Sequence, residues 1–323
     1  MKTMISVVIP LYNKAHTIER TLSSVLEQSF HDFEVVIVDD GSTDNGADVI
    51  RTFTQDSRVR IVNQTNQGVS AARNKGVASA RYEYIAFLDG DDEWSRDYLT
   101  TMKQAIEKYP QAGMFCCAGI VRNADGTEVI RLARKYAGAI LEINFFENPH
   151  VFLHTSATIV AKKEFNKTSG FPVGMKRNQD FALFFSLALI TPVVYCGFPL
   201  SVYVGGVQGQ ATATPESTIL LHKVNRYNTV YKNWLASRYT KDEFRIFMKY
   251  ELRHEFMSQL RKNNYRNIDV FLENLNKQII TQFPALEMAL YKNKLLRWAG
   301  IIYIAATKIR WRMRGYPQVG ESA

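Results

Sequence analysis

The chain has 323 residues, 46% of them apolar and 22% charged, which excludes a disordered polymer and allows one large domain with an appendage or two ordinary domains. Its 40 Lys and Arg against 31 Asp and Glu leave a net charge of +9, suited to an anionic partner such as a nucleotide, a nucleic acid or an acidic membrane face. Three cysteines, Cys116, Cys117 and Cys196, give no disulfide framework and read as small buried apolar residues in a reducing cytoplasm.

No charged segment followed by a long apolar core opens the chain, so no signal peptide is expected. Ile5 to Ile9 is a β-branched run that reads as a strand ended by Pro10. Ile18, Leu22, Val25 and Leu26 recur at helical spacing over 16–28. Glu34 to Val38 predicts the next strand, and 44–54 a helix with Ala47, Ile50 and Phe53 on its apolar face. Strands at 59–62 and 84–88 flank a helix of small residues over 68–80, and another helix follows Ser95. Met114 to Val121 reads as a strand, with a hairpin around Asp125-Gly126. From about Pro215 the composition shifts to long helical segments rich in Lys, Arg, Tyr and Asn, which sets an expected division into 1–215 and 216–323. Strands alternating with helices imply a parallel sheet with right-handed crossovers, and near-continuous apolar strands imply burial on both faces. Ligands of such sheets bind at the carboxyl ends of the strands, where the polar motifs of this chain fall.

Three motifs carry chemistry. Phe87-Leu88-Asp89-Gly90-Asp91-Asp92 directly follows a buried strand. Asp89 and Asp91, one residue apart, can converge on a hard divalent cation, Mn²⁺ or Mg²⁺, which takes oxygen ligands and bridges to phosphates. Gly90 permits a close backbone approach or an unusual dihedral. A solvated acidic turn has the same composition. In Val38-Asp39-Asp40-Gly41-Ser42-Thr43-Asp44, an Asp at a strand end can accept from a base or ribose, and the following helix N-terminus favours anions; a capped loop is the bland alternative. The third runs from Asn66 to Gly76, where small residues let a helix lie close to the sheet and Arg73 supplies a cationic fork.

Taken in order with Ser6-Val-Val-Ile-Pro-Leu-Tyr-Asn13, these segments resemble the family 2 glycosyltransferases with the GT-A fold, densely over the first ~100 residues and more weakly to about residue 203. The resemblance implies a Rossmann-like α/β domain, with a mainly parallel sheet flanked by helices and a C-terminal helical extension. It implies an inverting enzyme that moves a sugar from a nucleotide diphosphate donor, a UDP-sugar, to an acceptor hydroxyl during assembly of bacterial surface polysaccharide, O-antigen or capsule. By the same resemblance Pro10, Tyr12 and Asn13 border the nucleotide, with Tyr12 against the base. Asp39 bonds the base, Asp40, Gly41 and Ser42 belong to the same donor loop, and Arg73 contacts the nucleotide. Asp89 and Gly90 face the donor, and Asp91, with Asp89, holds Mn²⁺ or Mg²⁺. Thr168-Ser-Gly-Phe-Pro172 and then Asn178-Gln-Asp-Phe181 match a downstream family segment in which Asp180 is the catalytic base. Relatives often carry Glu where this chain has Gln179, so the acidic pair is reduced to one carboxylate. His154, Ser156 and Thr158 fall in a stretch that relatives place beside the donor sugar or acceptor. The segment from Tyr203 to Gln210 lacks the Arg and His with which relatives support the leaving diphosphate, which shifts that charge to the metal or to Lys176 and Arg177. Its glycines would also suit a mobile lid.

A nucleotidyltransferase would carry a Gly-rich basic loop after the first strand, where this chain has Pro10-Leu-Tyr-Asn13. A non-catalytic nucleotide-sugar binding module would be expected to lose the carboxylates. No zinc spacing or aromatic single-strand motif supports nucleic-acid binding. Residues 290–314 set an apolar core between Lys292, Lys294 and Arg297 on one side and Lys308, Arg310, Arg312 and Arg314 on the other, with Trp298, Tyr303 and Trp311 as amphipathic rings. This reads either as an interfacial helix on an anionic membrane, which suits a glycan or lipid-linked oligosaccharide acceptor and a peripheral position on the inner face of the cytoplasmic membrane, or as a helix packed on the domain or on another subunit of a homo-oligomer. Its uncharged part is roughly ten residues, short of the ~20 that span a bilayer.

Overall fold

The computed structural model describes residues 3–147, 149–207 and 216–313, without the side chains of 151, 216, 217, 311 and 312. In chain order the elements are β1 (Ile5–Leu11), α1 (Ile18–Leu26), β2 (Phe33–Asp39), α2 (Gly46–Phe53), β3 (Val59–Asn63), α3 (Val69–Ser79), β4 (Tyr84–Phe87), β5 (Glu93–Trp94) and α4 (Tyr98–Lys108). Next come β6 (Met114–Arg122), β7 (Glu128–Arg131), β8 (Ile140–Ile143), α5 (Pro149–Phe152), β9 (Thr158–Ala161), α6 (Lys162–Phe165), α7 (Gln179–Ala188) and β10 (Val193–Val204). The helices α8 (Glu216–Ala236), α9 (Glu243–Arg261), α10 (Tyr265–Asn274), α11 (Lys277–Ile280), α12 (Ala285–Lys292) and α13 (Arg297–Met313) complete the chain.

The sheet runs β3-β2-β1-β4-β9-β6-β10-β5, with β7 beside β6 and β8 beside β10. The half built by the βα alternation, β3-β2-β1-β4, is parallel throughout. Strand β9 enters antiparallel to both β4 and β6, so the other half is mixed. The turn at Asp125-Gly126 joins β6 and β7 as an antiparallel pair. Alternate residues of the central strands feed opposite faces, as a two-residue period demands. Val7, Ile9, Val35 and Ile37 meet α1, α2 and α4, whereas Val8, Val36 and Val38 meet α3 and α7. The second core continues without a break into α8–α13 through residues such as Tyr227, Phe256 and Ile304.

Pro10 does not end its strand. It lies within β1, in register with Val38 of β2. The β4 ladder reaches only Val8 opposite Phe87, so the missing Pro10 N–H faces the side that β4 has already left, and no ladder bond is lost. Strand β1 therefore carries its backbone past the end of β4, and the space so opened is where the acidic loop turns.

The small residues of α3 act by contact. A Cβ on Gly76 would sit 2.2 Å from Val8 Cγ1, so this helix lies closer to β1 than any larger residue would permit. Asn74 then ties α3 to a distant loop: its Nδ2 donates to Phe171 O at 2.8 Å, and Phe171 N–H donates to its Oδ1 at 2.9 Å.

A buried ionic network joins the C-terminal helices to the rest. Arg226 of α8 pairs with Glu251 of α9 at 3.1 Å, and Glu251 also bonds His150 of α5. The Arg226 guanidinium lies 5.6 Å from the Phe181 ring centre and 5.7 Å from that of Phe185, both on α7. Burial alone would raise the Glu251 carboxyl, but Arg226 and His150 outweigh it and hold it down at about 2. A carboxyl depressed on folding contributes stability above its unfolded value of 4.5, and the contribution fades as pH falls from there toward about 2. Glu251→Gln takes from buried Arg226 the carboxylate it pairs with, a loss on the order of 3–5 kcal/mol at neutral pH. Urea midpoints at pH 7 and near pH 2.5 should show a large gap between wild type and E251Q that narrows in acid; a gap independent of pH would show that the pair does not titrate with folding.

Candidate active site

Four segments converge at the carboxyl ends of β1, β2 and β4, and they line a cavity of about 610 Å³. The loop after β4 forms its floor. Leu88 N–H still donates to Val8 O, after which the chain turns through Asp89, Gly90 and Asp91. Gly90 allows a close approach here: a Cβ would lie 3.2 Å from Pro10 O. Thr17 Oγ1 donates to Gly90 O at 2.7 Å and Arg20 Nη2 to Asp91 O at 3.1 Å, so the loop backbone is held from α1.

Each acidic side chain of this loop has its own counterpart. Arg73 Nη2 donates to Asp89 Oδ1 at 2.5 Å. Lys14 Nζ donates to Asp91 Oδ2 at 2.7 Å. Asp92 is buried and accepts from Ser156 Oγ at 2.5 Å and from Val204 N–H at 3.2 Å, with His154 Nε2 3.6 Å from its Oδ2. Burial first, and then the neighbouring Asp89 and Asp91, push the Asp92 carboxyl well above the ordinary range. Burial and the same acidic residues also raise the Tyr203 phenol.

Arg73 is 3% exposed on the inner side of α3, with Phe171 beneath it at 5.2 Å. Its Nε and Nη1 have no hydrogen-bond partner among the described residues, although both are shielded from solvent. Such orphaned donors cost about 1–3 kcal/mol unless something polar meets them. Gln179 also lines the cavity, and its buried Oε1 is an acceptor with no partner among the described residues. Two unsatisfied groups of opposite polarity on one cavity are what a polar ligand would complete.

Asp180 lies in the first turn of α7 and lines the cavity with Lys176, Arg177, Asn178 and Gln179. Asn178, at φ 67°, makes the left-handed turn that starts the helix. Phe181 N–H donates to Asp180 Oδ1 at 2.9 Å, which leaves Oδ2 as the remaining acceptor. From α8, the neutral-leaning His222, lowered by burial and by Lys176, takes the Arg177 N–H on Nδ1 at 3.4 Å. The loop that carries Asp180 is thus braced by the C-terminal helices.

Of the residues singled out in the sequence, Pro10, Tyr12, Asp40, Arg73, Asp89, Gly90, Asp91, His154, Lys176, Arg177, Gln179 and Asp180 line the cavity. Tyr12 stands at its rim, 46% exposed. Asn13, Asp39, Gly41 and Ser42 are not among its lining residues and tie the adjoining loops together. Asn13 Oδ1 accepts from Thr43 N–H at 2.8 Å, Asn13 N–H donates to Ser42 Oγ at 3.2 Å, and Ser42 N–H donates to Asp39 Oδ1 at 2.9 Å. Gly41 has φ 71°, and a Cβ there would lie 2.9 Å from Asn66 N. Asp40 is buried and spends both oxygens on the next loop: Oδ1 accepts from Gln64 Nε2 and Gln67 N–H, Oδ2 from Gly68 N–H. Of the segment that lacks Arg and His, Tyr203 reaches the cavity, and residues 208–210 lie outside the described residues.

Sequence reasoning did not single out Lys14 or give Asp92 a role. Lys14 is one cation among many until the turn after β1 places it on Asp91. Asp92 was visible as the third acid of its motif, but its partners come from 64 and 112 residues away.

Among the described residues no group of three or more His, Cys, Asp or Glu is arranged to hold a metal ion by itself. The donors at hand are carboxylate oxygens from Asp91 and Asp89 on a cavity large enough for a polar ligand. That set fits a hard cation gripped by one or two carboxylates and completed by a ligand's phosphates, and does not fit an all-protein cage.

Comparison with known proteins agrees with this geometry. The model of "Glycosyl transferase family 2" matches residues 6–170, half of the chain. The uncharacterized glycosyltransferase alr2836 of Nostoc sp. is 34% identical over 177 residues, 52% of this chain and 53% of that protein. The putative teichuronic acid biosynthesis glycosyltransferase TuaG of Bacillus subtilis is 43% identical over 100 residues, 30% of this chain and 40% of its own length. These matches thus span about half or less of the curated relatives. Among solved structures, S. aureus TarS 1–349 in complex with UDP-GlcNAc superposes with a TM-score of 0.72 over 97% of this chain and 92% of that one at 16% identity, a likeness of fold. By its matched segment and its architecture, a GT-A-type sheet with C-terminal helices, the chain belongs to glycosyl transferase family 2.

Proposed function

We propose that this chain is an inverting glycosyltransferase that moves a sugar from a nucleoside diphosphate donor, a UDP-sugar, to the hydroxyl of a glycan or lipid-linked oligosaccharide during assembly of a bacterial surface polysaccharide. The observation that carries the reading is one cavity lined by Asp89, Asp91, Asp180 and Arg73, two of whose buried donors have no partner among the described residues. The complex of TarS with UDP-GlcNAc and the teichuronic acid role named for TuaG support the donor and the acceptor class. In this division of labour residues 1–215 hold the chemistry, and the helices from 216 onward brace it and face the acceptor's surroundings.

In the proposed mechanism the Tyr12 ring at the rim lies against the base. Arg73 Nε and Nη1 donate to the nucleotide part of the donor and so satisfy their buried N–H groups. Asp91, with Asp89, would hold Mn²⁺ or Mg²⁺, which when bound supplies Lewis-acid neutralisation of the diphosphate. Lys176 and Arg177 line the same cavity and attract the charge of the departing nucleotide, a role relatives give to the Arg and His absent here. Asp180 Oδ2 takes the proton from the acceptor hydroxyl as the oxygen attacks the face opposite the leaving group, which inverts the anomeric carbon. The Gln179 Oε1 beside it accepts from a sugar hydroxyl and orients it.

A panel of nucleotide sugars, scored by thermal stabilisation and by transfer or hydrolysis, tests the donor class; no stabilisation by any of them would remove the reading. General-base assistance contributes roughly 10²–10⁴-fold, so Asp180→Asn should lower turnover in that range with donor affinity unchanged. Equal losses of affinity and turnover would assign Asp180 to binding instead. Asp91→Ala should abolish the enhancement of nucleotide affinity by Mn²⁺ in titration calorimetry. If Mn²⁺ enhances nucleotide binding equally in both proteins, the ion is held elsewhere.

A further inference from the structure

The C-terminal helix α13 has two apolar faces, and only one of them is used. On the inner face Ile304 is fully buried, Ile301 nearly so, and Gly300 lets the helix approach Leu260 of α9, where a Cβ would meet Leu260 Cδ1 at 3.3 Å. Tyr303 fastens this face by donating to Glu287 Oε2 at 3.2 Å; the same buried carboxylate takes Arg253 through both oxygens at 2.7 and 2.8 Å. The helix is therefore fixed to the domain, and its other side points to solvent. That side carries Trp298, Ile302, Ile309 and Met313, each at least 60% exposed, and Leu295 just before the helix continues it. Their spacing of 4, 7 and 4 residues keeps Trp298, Ile302, Ile309 and Met313 on one stripe, with the small Ala306 between them. Among the described residues no charged side chain interrupts the stripe. Lys292 and Lys294 lie exposed at its start and Arg310 at its edge. The side chains of Trp311 and Arg312, and residue Arg314, lie outside the described residues.

A helix apolar on both sides is normally buried, and a soluble surface rarely leaves such a stripe open. Two occupants would cover it, a second copy of the chain or a lipid surface, and the charge separates them. From 288 to 320 the sequence contains seven Lys and Arg and no Asp or Glu. An isologous contact through this face would set the cations of one copy against those of the other, with no acid from the segment to pair them. An anionic bilayer meets both features at once: Trp and aliphatic side chains enter the acyl boundary and the cations meet the headgroups. Among the described residues no helix is long and apolar enough to cross a membrane, which leaves a helix lying in the plane.

We infer that the outward face of α13 is a docking surface for an anionic lipid bilayer, on which the whole domain sits with α13 parallel to the membrane. The inference deepens the lipid-linked reading of the acceptor, but its test needs no turnover. The full chain is mixed with vesicles of phosphatidylcholine alone and of phosphatidylcholine with phosphatidylglycerol, and bound protein is measured by flotation. Binding to the anionic vesicles only, weakened by salt, is expected. The triple variant Trp298→Ser, Ile302→Ser, Ile309→Ser should bind roughly a thousandfold more weakly, since each buried side chain of this kind is worth about tenfold. A second variant, Lys292→Glu with Lys294→Glu and Arg310→Glu, should lose the preference for anionic lipid. All substituted positions are exposed, and unchanged thermal unfolding and unchanged UDP binding in both variants would show that the fold and the donor site are intact. Binding that is equal for both vesicle types, or unaffected by the triple variant, overturns the inference. So does a wild type that fails to float while sedimenting as a dimer that the triple variant dissolves, which would assign the face to a second copy. Failure of the donor panel above with vesicle binding retained would remove the enzyme reading and leave this one standing.

Discussion

The structure depends on how it tolerates three carboxylates within four consecutive residues. Unit charges ~4 Å apart repel by about 1 kcal/mol in water and by several times more beneath a protein surface. Each of the three is answered differently. Asp89 has Arg73 from α3, Asp91 has Lys14 from the turn after β1, and Asp92 is sunk among Ser156, His154 and the Val204 N–H, where burial and its neighbours favour the protonated form. These five partners come from four parts of the chain, so the acidic loop is the point where the two halves of the sheet are tied. Burying Arg73 with two orphaned nitrogens is costly, and that cost makes sense where a ligand completes the group.

Much of the first half was legible because its elements are locally consistent. The parallel strands are continuous apolar runs, the helices have one apolar face, and the turns carry Asp, Gly and Ser at strand ends. The predicted elements fall within about two residues of those observed, apart from Pro10, whose place inside β1 depends on where β4 stops pairing. Strand pairing beyond residue 113 was not legible. The antiparallel β9 and the long β10, which shifts register near Pro199, are fixed by contacts between residues far apart in the chain.

The cavity residues divide in the same way. Asp89, Gly90, Asp91 and Arg73 were readable because their residue types sit at strand ends or on a helix of small residues. The donor loop was readable as a unit but not in its parts. Asp40 looks like a free acid in the sequence, yet both its oxygens hold the 64–68 loop, and Asn13 spends its amide on Thr43 and Asp44. Lys14 gave no signal, since nothing local distinguishes it from the other lysines. The bracing of Asp180 was equally hidden: His222 and Arg226 lie more than 40 residues downstream, and only the packing of α8 on α7 brings them to the loop.

The C-terminal helices are therefore part of how the site is held, through Arg226, Glu251 and His150, as well as a separate surface in α13. The central claim is that the acidic loop after β4 grips a divalent cation shared with a nucleotide. Diffraction from crystals soaked in Mn²⁺ and UDP, collected at the manganese edge, tests it most directly. The account requires an anomalous peak within coordination distance of the Asp91 carboxylate and of the diphosphate, with Lys14 displaced or moved to the other oxygen and Asp180 facing the same cavity. Nucleotide bound with no peak there, or a peak on a different set of residues, would contradict it.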